Sequence, residues 1–239
     1  MTAEKRILVF TACYNEKENI RDLILGIKKN LPNSSILIVD DNSPDNTKNE
    51  ITNLQKIHSD IDLVVREKKL GLDTAHKFGY EYALSNNFDY LITMDADLSH
   101  DPEDLLKIVR ELKNNPFVIG SRYIEGGQNL MKYSRLILSK YGNLLIKRLS
   151  GINCSEFTTS YRGFDIKKLK NFNLKDVGVK GYSFFMGTLF EVERKGFIIK
   201  EIPITFKDRA KGNSKIPKIE IFRTIKNLII LSFKKYFFK

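Results

Sequence analysis

The fold is decided by residues 90–100, which read YLITMDADLSH. Residues 90–94 are strand formers and predict a buried strand. Asp95 and Asp97 follow directly and would project together beyond the end of that strand, because side chains two residues apart share a face. Adjacent carboxylates repel each other unless a cation lies between them. The pair therefore predicts a divalent metal ion, itself held by a diphosphate, in the crevice where open α/β sheets bind ligands.

Strand-like runs alternate with helical patterns upstream of this stretch. Residues 7–11, 36–39 and 63–65 are typical of buried parallel strands, and apolar residues at helical spacing follow each run. Residues 101–104 (DPED) are typical of a helix start, with a capping Asp, an early Pro and acids at the positive end of the helix dipole. Four strand–helix units in this order predict an α/β fold, with helices on both faces of a mostly parallel sheet.

Length, composition and charge limit the possible functions. The chain of 239 residues is 42% hydrophobic, which suffices for one large α/β domain or two small ones, with an ample core. Its net charge of +11 indicates an anionic partner, such as nucleic acid, an acidic membrane or a phosphorylated substrate. The only cysteines, Cys13 and Cys154, form no CxxC pair, so neither a disulfide framework nor a zinc site is expected.

The ends of the predicted strands carry acids where many phosphate-binding proteins carry glycines. No GxGxxG follows the first strand, and GxxxxGK[ST] does not occur. Acids at strand ends suit hydrogen bonds to a base and a ribose, together with a metal ion that bridges phosphates. No signal-peptide core precedes the first strand, and no uncharged apolar run reaches the ~18 residues that span a bilayer. We therefore expect a cytoplasmic protein.

Nine short motifs occur in the order found in one enzyme family. They are ACYNExENI from Ala12, VDDNSPDxT from Val39, KLGL from Lys69, MDADLSH from Met94, GSRY from Gly120, GYSF from Gly181, EIPI from Glu201, FKDR from Phe206 and GxSK from Gly212. In these motifs, which extend over nearly the whole chain, it resembles the inverting glycosyltransferase family 2. Within that family it resembles the dolichyl- and polyprenyl-phosphate mannosyltransferases. The resemblance implies the GT-A nucleotide-diphospho-sugar transferase fold.

The resemblance also implies roles for individual residues. Those implied to contact the nucleotide sugar are Ala12, Tyr14, Glu16, Asp40, Asp41, Lys69, Asp95, Ala96, Asp97, Arg209 and Lys215. Those implied to hold a divalent metal ion, Mg or Mn, are Asp95, Asp97 and Ser99. Those implied to hold the acceptor phosphate are Arg122 and Ser134. The implied catalytic residues are Asp97, Arg122, Arg209 and Lys215.

The activity implied by the resemblance is transfer of a sugar from a nucleotide-sugar donor to a polyprenyl or dolichyl phosphate, with inversion at the anomeric carbon. Mannose from GDP-mannose is the first expectation. The alternatives are another sugar, such as glucose from a UDP-sugar, and a non-lipid glycan acceptor. A more distant alternative is a non-enzymatic protein that binds an anionic membrane or nucleic acid. For the glycosyltransferase, no nucleic-acid partner is expected.

Two basic segments with apolar faces predict contact with a membrane. Between Glu125 and Glu156, and again after Glu220, the chain has no acid, while Lys and Arg alternate with large apolar residues. Such helices are typical of membrane-surface elements. We therefore expect a glycosyltransferase domain over residues 1–218 and an amphipathic C-terminal helix over 219–239. The helix would lie on an anionic membrane at its cytosolic face, where a separate membrane-anchoring subunit is a further expected partner.

The chain departs from the family pattern at several positions. Relatives usually have Pro-Thr at Ala12-Cys13 and Gly at Asp73. The usual Gln and Glu after GYSF are replaced by Phe185 and Gly187. The lost carboxylate weakens the prediction of mannose more than the prediction of transfer to a lipid phosphate.

Overall fold

The computed structural model describes residues 5–211 and 219–237. Its first half alternates strands and helices as predicted, and the elements are β1 (Ile7–Cys13), α1 (Lys17–Asn30), β2 (Ser35–Asp40), α2 (Thr47–Gln55), β3 (Ile61–Val65), α3 (Leu72–Ser85) and β4 (Tyr90–Thr93). The second half contains α4 (Leu105–Leu112), β5 (Phe117–Ser121), β6 (Gln128–Leu130), α5 (Tyr133–Ser150), β7 (Arg162–Asp165), α6 (Ser183–Arg194), β8 (Ile199–Pro203), β9 (Thr205–Lys207) and α7 (Ile219–Phe237). A short 3₁₀ turn, Pro102–Asp104, precedes α4, and its N–H group at Glu103 is capped by Asp101 as predicted.

Seven strands form the central sheet in the order β3-β2-β1-β4-β7-β5-β8. Every pairing is parallel except those of β7, which runs antiparallel to both β4 and β5. The first three strands extend the sheet in one direction from β1, and β4 then adds on the other side of β1. The strand order therefore reverses between β1 and β4, which is where open α/β sheets form their ligand-binding crevice.

The two faces of the sheet each bury an apolar layer. Alternate residues of β1 divide between the layers, with Leu8 and Phe10 in one and Val9 in the other. Helices α3 and α6 cover the first face, and α1 and α4 cover the second. The predicted α/β fold, a mostly parallel sheet between two helical layers, is confirmed.

A second, two-stranded sheet lies beside the strand-order reversal. Strands β6 and β9 pair in parallel, and the Lys207 N–H donates to the Ser99 carbonyl oxygen (3.1 Å). His100 and Phe206 form an isolated antiparallel bridge next to it. The chain that leaves β9 is thereby held over the loop that carries Asp95 and Asp97.

The predicted C-terminal helix is present as α7, which packs against α5 and α6. Leu228 is buried in the core, while Lys235 pairs with Glu193 (2.6 Å) and donates to the Ser150 carbonyl at the end of α5 (2.8 Å). Other large apolar residues stay exposed on the two helices, among them Tyr133, Leu138, Tyr141 and Leu144 of α5 and Phe222, Ile229, Phe233 and Phe237 of α7. One side of α7 thus belongs to the core, and another side exposes large apolar residues, as α5 does.

Candidate active site

A cleft of about 690 Å³ opens where the strand order reverses. It gathers residues from the loops after β1, β2 and β4, from α5 and α7, and from the segment after β9. Eleven residues predicted from the sequence line it: Ala12, Tyr14, Glu16, Asp41, Lys69, Asp95, Ala96, Asp97, Ser99, Arg122 and Arg209. The structure therefore brings most of the predicted site into one cavity.

Three predicted residues fall outside this group. Lys215 lies in residues 212–218, outside the described part of the chain. Ser134 belongs to the first turn of α5, and its side chain is likewise outside the described part. Asp40 is buried beneath the cleft, where its carboxylate accepts hydrogen bonds from the Ser43 N–H (3.1 Å) and the Ser43 hydroxyl. It shapes the loop after β2, next to Asp41.

The carboxylates Asp95 and Asp97 occupy the centre of the cleft. The Ser160 hydroxyl donates to Asp95 Oδ1 (2.5 Å), and Asp97 Oδ2 lies 3.0 Å from Arg209 Nη2. Partial burial raises the pKa of Asp95 above its ordinary value, and the charge of Asp97 adds to this shift. Leu98 has a φ of 60°, which is unusual for a branched side chain, so the turn from Asp97 to Ser99 is held by its surroundings.

His100 fixes the backbone of this turn. The Asp95 N–H donates to His100 Nδ1 (3.1 Å), so Nδ1 carries no proton and Nε2 is left to donate to Thr159 Oγ1 (3.0 Å). Burial lowers the pKa of His100, and the ring stacks on Tyr161 at 4.9 Å. His100 is thus a neutral, fully buried support for the turn that carries Asp95 and Asp97.

The residues present fit a divalent cation. Asp95, Asp97 and Ser99 all line the cleft and offer the hard oxygen ligands that Mg²⁺ and Mn²⁺ accept. The Ser99 hydroxyl is buried without a hydrogen-bond partner among residues 5–211 and 219–237, which leaves its oxygen available. Within those same ranges, no cluster of three or more His, Cys, Asp or Glu side chains is placed to hold a metal ion. Asp95, Asp97 and Ser99 are therefore the candidate ligands of such an ion.

Arg209 occupies the cation position beside Asp97. Its Nη1 lies 3.7 Å from Glu16 Oε1, and Glu16 is held in turn by the Asn19 amide (2.7 Å). The next residue, Ala210, donates its N–H to the Asp97 carbonyl (3.1 Å). The segment after β9 thus places a guanidinium against the two acids, as a phosphate-binding role would require.

The cleft contains a cation, Arg66, that was not among the residues predicted from the sequence. Arg66, just after β3, forms an ion pair with Asp41 and donates to Thr74 Oγ1 (2.6 Å). Lys69 lies over the ring of Tyr14, with Nζ 4.6 Å from the ring centroid. Asp41 belongs to the VDDNSPDxT motif, but Arg66 belongs to none of the nine motifs, so no sequence pattern identified it as a site residue.

Arg122 is anchored by a buried carboxylate. Its guanidinium donates to Glu156 through Nε (2.6 Å) and Nη2 (3.2 Å), and to Thr158 Oγ1 (3.0 Å). The ring of Phe206 lies 4.2 Å from its guanidinium carbon. Both charged side chains are almost inaccessible, at 6% and 0% exposure, and separating such a pair typically costs about 3–5 kcal/mol. Arg122 therefore has a fixed position at the edge of the cleft.

Arg135 and Asp208 are cleft residues that the prediction did not single out. Arg135 Nη1 lies 2.6 Å from Asp208 Oδ1, with 48% and 30% of the two side chains exposed. Asp208 Oδ2 also accepts the N–H of Lys132, just before α5 (3.1 Å). Both residues lie within stretches noted in the sequence, but their proximity depends on the pairing of β6 with β9.

Much of the remaining cleft lining is apolar, although Asn143, Glu220 and Thr224 also contribute to it. Its walls are built from α5, α6 and α7, by Leu138, Leu145, Ile146, Phe185, Met186, Ile225 and Leu228. None of the helices described here, within residues 5–211 and 219–237, has the length and apolar character needed to cross a bilayer. The cavity thus runs from a charged end at Asp97 to a mostly apolar end between α5 and α7.

The departures from the family pattern have structural explanations. Asp73 accepts the N–H of Gly181 (3.0 Å) and so ties α3 to the loop before α6. Phe185 meets the His76 ring edge-on at 5.1 Å, and the buried guanidinium of Arg162 lies over its ring, also at 5.1 Å. A Cβ atom at Gly187 would come within 2.3 Å of Val179, so only glycine fits this packing. Apolar contacts have replaced the polar groups expected here.

Residues 8–172 match the protein-family model described as Glycosyl transferase family 2. The chain is 33% identical over 212 residues to the undecaprenyl-phosphate mannosyltransferase of Micrococcus luteus, across 88% of this chain and 87% of that protein. It is 34% identical over 215 residues to the polyprenol monophosphomannose synthase of Mycolicibacterium smegmatis, across 89% and 81%.

Solved structures share the fold at lower sequence identity. The glucosyl-3-phosphoglycerate synthase of Mycobacterium tuberculosis, crystallised with Mn²⁺, UDP and glucosyl-3-phosphoglycerate, has a TM-score of 0.68 at 18% identity and covers 97% of this chain and 80% of that one. A mannosyltransferase of Pyrobaculum calidifontis, in complex with GDP-Man and Mn²⁺, has a TM-score of 0.60 at 18% identity, across 100% and 66%. The matching family model and the similarity of the two mannosyltransferases over most of the chain establish that this protein is a glycosyltransferase of family 2, with the GT-A fold.

Proposed function

We propose that the protein transfers mannose from GDP-mannose to a polyprenyl phosphate, with inversion at the anomeric carbon. The observation that carries this proposal is one cleft that contains acids and cations at one end and is mostly apolar at the other. A sugar diphosphate needs the charged end, and a prenyl chain needs the apolar end. The names of the relatives from M. luteus and M. smegmatis support the same reaction.

The donor would bind at the strand ends. Ala12, Tyr14, Glu16, Asp40, Asp41 and Lys69 would shape or contact the nucleoside, with Ala96 beside the diphosphate. Asp95, Asp97 and Ser99 would hold a divalent Mg or Mn ion, as Mn²⁺ in the neighbouring structures supports. When bound, the ion would supply positive charge that stabilises the leaving diphosphate. Arg209 and Lys215 would add hydrogen-bond donors to that charge.

The acceptor phosphate would be held by Arg122 and Arg135, with Ser134 retained as a predicted contact. Such a phosphate is already an anion at neutral pH, so its attack on the anomeric carbon needs no general base. His100 is consistent with this chemistry, because it is neutral, buried and fully engaged in hydrogen bonds. Catalysis would consist of holding the two substrates in line and stabilising the leaving group. A single displacement gives inversion.

The membrane part of the proposal depends on α5 and α7. Their exposed apolar residues, interspersed with Lys and Arg, suit peripheral attachment to an anionic membrane. We propose the cytosolic face as the working surface, residues 1–218 as the catalytic domain and 219–239 as the surface helix. A separate membrane-anchoring subunit would be a compatible partner.

A direct assay tests the proposal. Purified protein is incubated with polyprenyl phosphate, Mn²⁺ and each of GDP-mannose, UDP-glucose and UDP-N-acetylglucosamine, and release of nucleoside diphosphate is measured. We expect release with GDP-mannose only when the lipid phosphate is present. Preference for UDP-glucose would instead favour the alternative that Phe185 and Gly187 leave open. Equal release with a soluble glycan acceptor would contradict a lipid acceptor.

A further inference from the structure

The segment after β9 places two consecutive residues of opposite charge in the cleft. Arg209 faces the donor end, with Nη2 3.0 Å from Asp97 Oδ2. Asp208 faces the end of the cleft near α5, where the acceptor phosphate is proposed to bind and which is called the acceptor end. Its Oδ1 lies 2.6 Å from Arg135 Nη1. These two neighbouring side chains therefore reach partners in different parts of the cleft. Arg209 thus neutralises Asp97, which the proposed function assigns to the donor's metal ion. Asp208 neutralises Arg135, which the proposed function assigns to the acceptor phosphate.

The backbone links these two ion pairs. The Ala210 N–H donates to the Asp97 carbonyl (3.1 Å), and Asp208 Oδ2 accepts the Lys132 N–H before α5 (3.1 Å). A movement of the backbone at Arg209 would therefore also shift Asp208 relative to α5. The short segment 208–210 is a physical connection between the turn that carries Asp95 and Asp97 and the acceptor end.

The exposure of the ion pairs indicates which of them can exchange partners. The Arg135–Asp208 pair is 48% and 30% exposed, and the Arg209–Asp97 pair is 21% and 13% exposed. The Arg122–Glu156 pair, at 6% and 0%, is sealed. Exposed pairs have little net stability and are readily replaced, whereas buried pairs are not. Arg135 is therefore the cation that a phosphate can take from its carboxylate, whereas Arg122 would contact the phosphate while still paired with Glu156.

We propose that Asp208 is a positioning residue that couples the two ends of the cleft. In the protein without substrates, its carboxylate covers Arg135 and repels an incoming phosphate. When Asp97 binds the donor's metal ion, Arg209 would turn toward the diphosphate. Asp208, the preceding residue, would then move away from Arg135. The acceptor phosphate then binds well only after the donor. This inference rests on the proposed function and adds an order of binding to it.

Asp208 also caps the start of α5, so a test must separate its charge from its hydrogen bond. Asp208→Asn keeps an oxygen that can accept the Lys132 N–H but removes the negative charge. Lys207→Gln is the matched control, because the neighbouring Lys207 is half-exposed and pairs with Asp101 (3.0 Å), away from the cleft. Both variants are expected to fold.

The experiment measures binding of farnesyl phosphate by calorimetry, with and without Mn²⁺ and GDP. For the wild type and for Lys207→Gln, we expect about tenfold tighter binding when Mn²⁺ and GDP are present, a typical coupling between sites. For Asp208→Asn, we expect tight binding in both conditions and a ratio near one. By reciprocity, farnesyl phosphate should tighten GDP binding in the wild type by the same factor.

Three outcomes would overturn this coupling. One is an unchanged tenfold ratio in Asp208→Asn, and another is binding weakened equally in both conditions, which would make Asp208 a structural cap only. The third is a wild type that binds farnesyl phosphate equally well in both conditions, which leaves the proposed function intact. A wild type that binds no farnesyl phosphate in either condition contradicts the proposed function itself.

Discussion

The donor and acceptor ends of the cleft are built on different principles. The donor end is made of loops that follow parallel strands, and its turn is fixed by buried contacts such as those of His100. The acceptor end is made of helix faces and half-exposed ion pairs, such as Arg135–Asp208. The part assigned to the chemistry is therefore preorganised, whereas the part assigned to the lipid has contacts that can be exchanged. Substitutions at the two ends should have different effects.

The largest effect is expected at the donor end. Asp97→Asn removes a proposed metal ligand and should lower turnover at least a thousandfold, which corresponds to about 4 kcal/mol of transition-state stabilisation. Asp95→Asn should behave similarly. The measurement is release of nucleoside diphosphate at saturating donor and Mn²⁺. Asp22→Asn, exposed on α1, is the matched control and should retain full activity. Near-normal turnover of Asp97→Asn would contradict the proposed catalytic role of the donor end.

The second prediction compares a sealed ion pair with an exposed one. Burial opposes the charge of Glu156, but Arg122 and Thr158 outweigh it and hold the pKa of Glu156 below its ordinary value. Its stabilising effect is therefore present above the carboxyl pKa of the unfolded chain and is lost as the pH falls below it. Glu156→Ala should lower the free energy of unfolding by about 3 kcal/mol.

The exposed counterpart is Asp208→Ala, which should cost only about 1 kcal/mol. Urea denaturation at pH 7 measures both variants, and repeating it at pH 4 should reduce the difference between wild type and Glu156→Ala. Equal costs for the two substitutions would show that the pairs do not differ in strength, and the contrast drawn above would fail.

The third prediction separates the two substrates kinetically. Arg135→Ala should raise the KM for polyprenyl phosphate about tenfold, close to 1.4 kcal/mol, because a charge-assisted hydrogen bond to the phosphate is lost. The KM for the nucleotide sugar should stay within twofold. Arg148→Ala, exposed on the same helix, is the control for charge alone. A rise confined to the donor KM would place Arg135 at the wrong end of the cleft.

The smallest effect is expected from the exposed face of α7. Phe233 and Phe237 stack at 4.4 Å and are 53% and 70% exposed, so replacing both with Ser should weaken sedimentation with anionic liposomes several-fold and leave the unfolding free energy unchanged. Binding of the wild type should weaken as salt rises. Leu228→Ala is the contrasting variant. Because Leu228 is buried, its truncation should lower the free energy of unfolding and leave liposome binding intact. Unchanged sedimentation of the double Ser variant would move the membrane contact elsewhere.

Much of the donor end could be predicted from the sequence because its determinants are local. A few consecutive residues contain a strand, the acids that end it and the start of the next helix. Because the carboxyl ends of parallel strands lie at the same edge of the sheet, the acids of different strands are expected to meet there. The prediction that alternation along a strand places Asp95 and Asp97 together was wrong. Strand β4 ends at Thr93, so the turn containing Leu98, and not alternation along a strand, positions Asp95 and Asp97.

The acceptor end could not be predicted in the same way because its determinants are distant in sequence. Arg135 meets Asp208 only after β6 pairs with β9, and Arg122 meets Glu156 only after β7 inserts between β4 and β5. Helical periodicity identified α5 and α7 but not which of their residues face the cleft. The buried position of Leu228 likewise depends on how α7 packs against the core.

Gly187 has an evolutionary consequence. Its Cβ position lies within 2.3 Å of Val179 and 3.0 Å of Val177, so any larger residue must displace two branched side chains from a packed interior. A single substitution to Glu would therefore be selected against before it could restore a carboxylate. The valines would have to become smaller first, although that change alone leaves a cavity. The order of these mutations is constrained, and descendants of this chain are expected to keep the glycine and diversify elsewhere in the cleft.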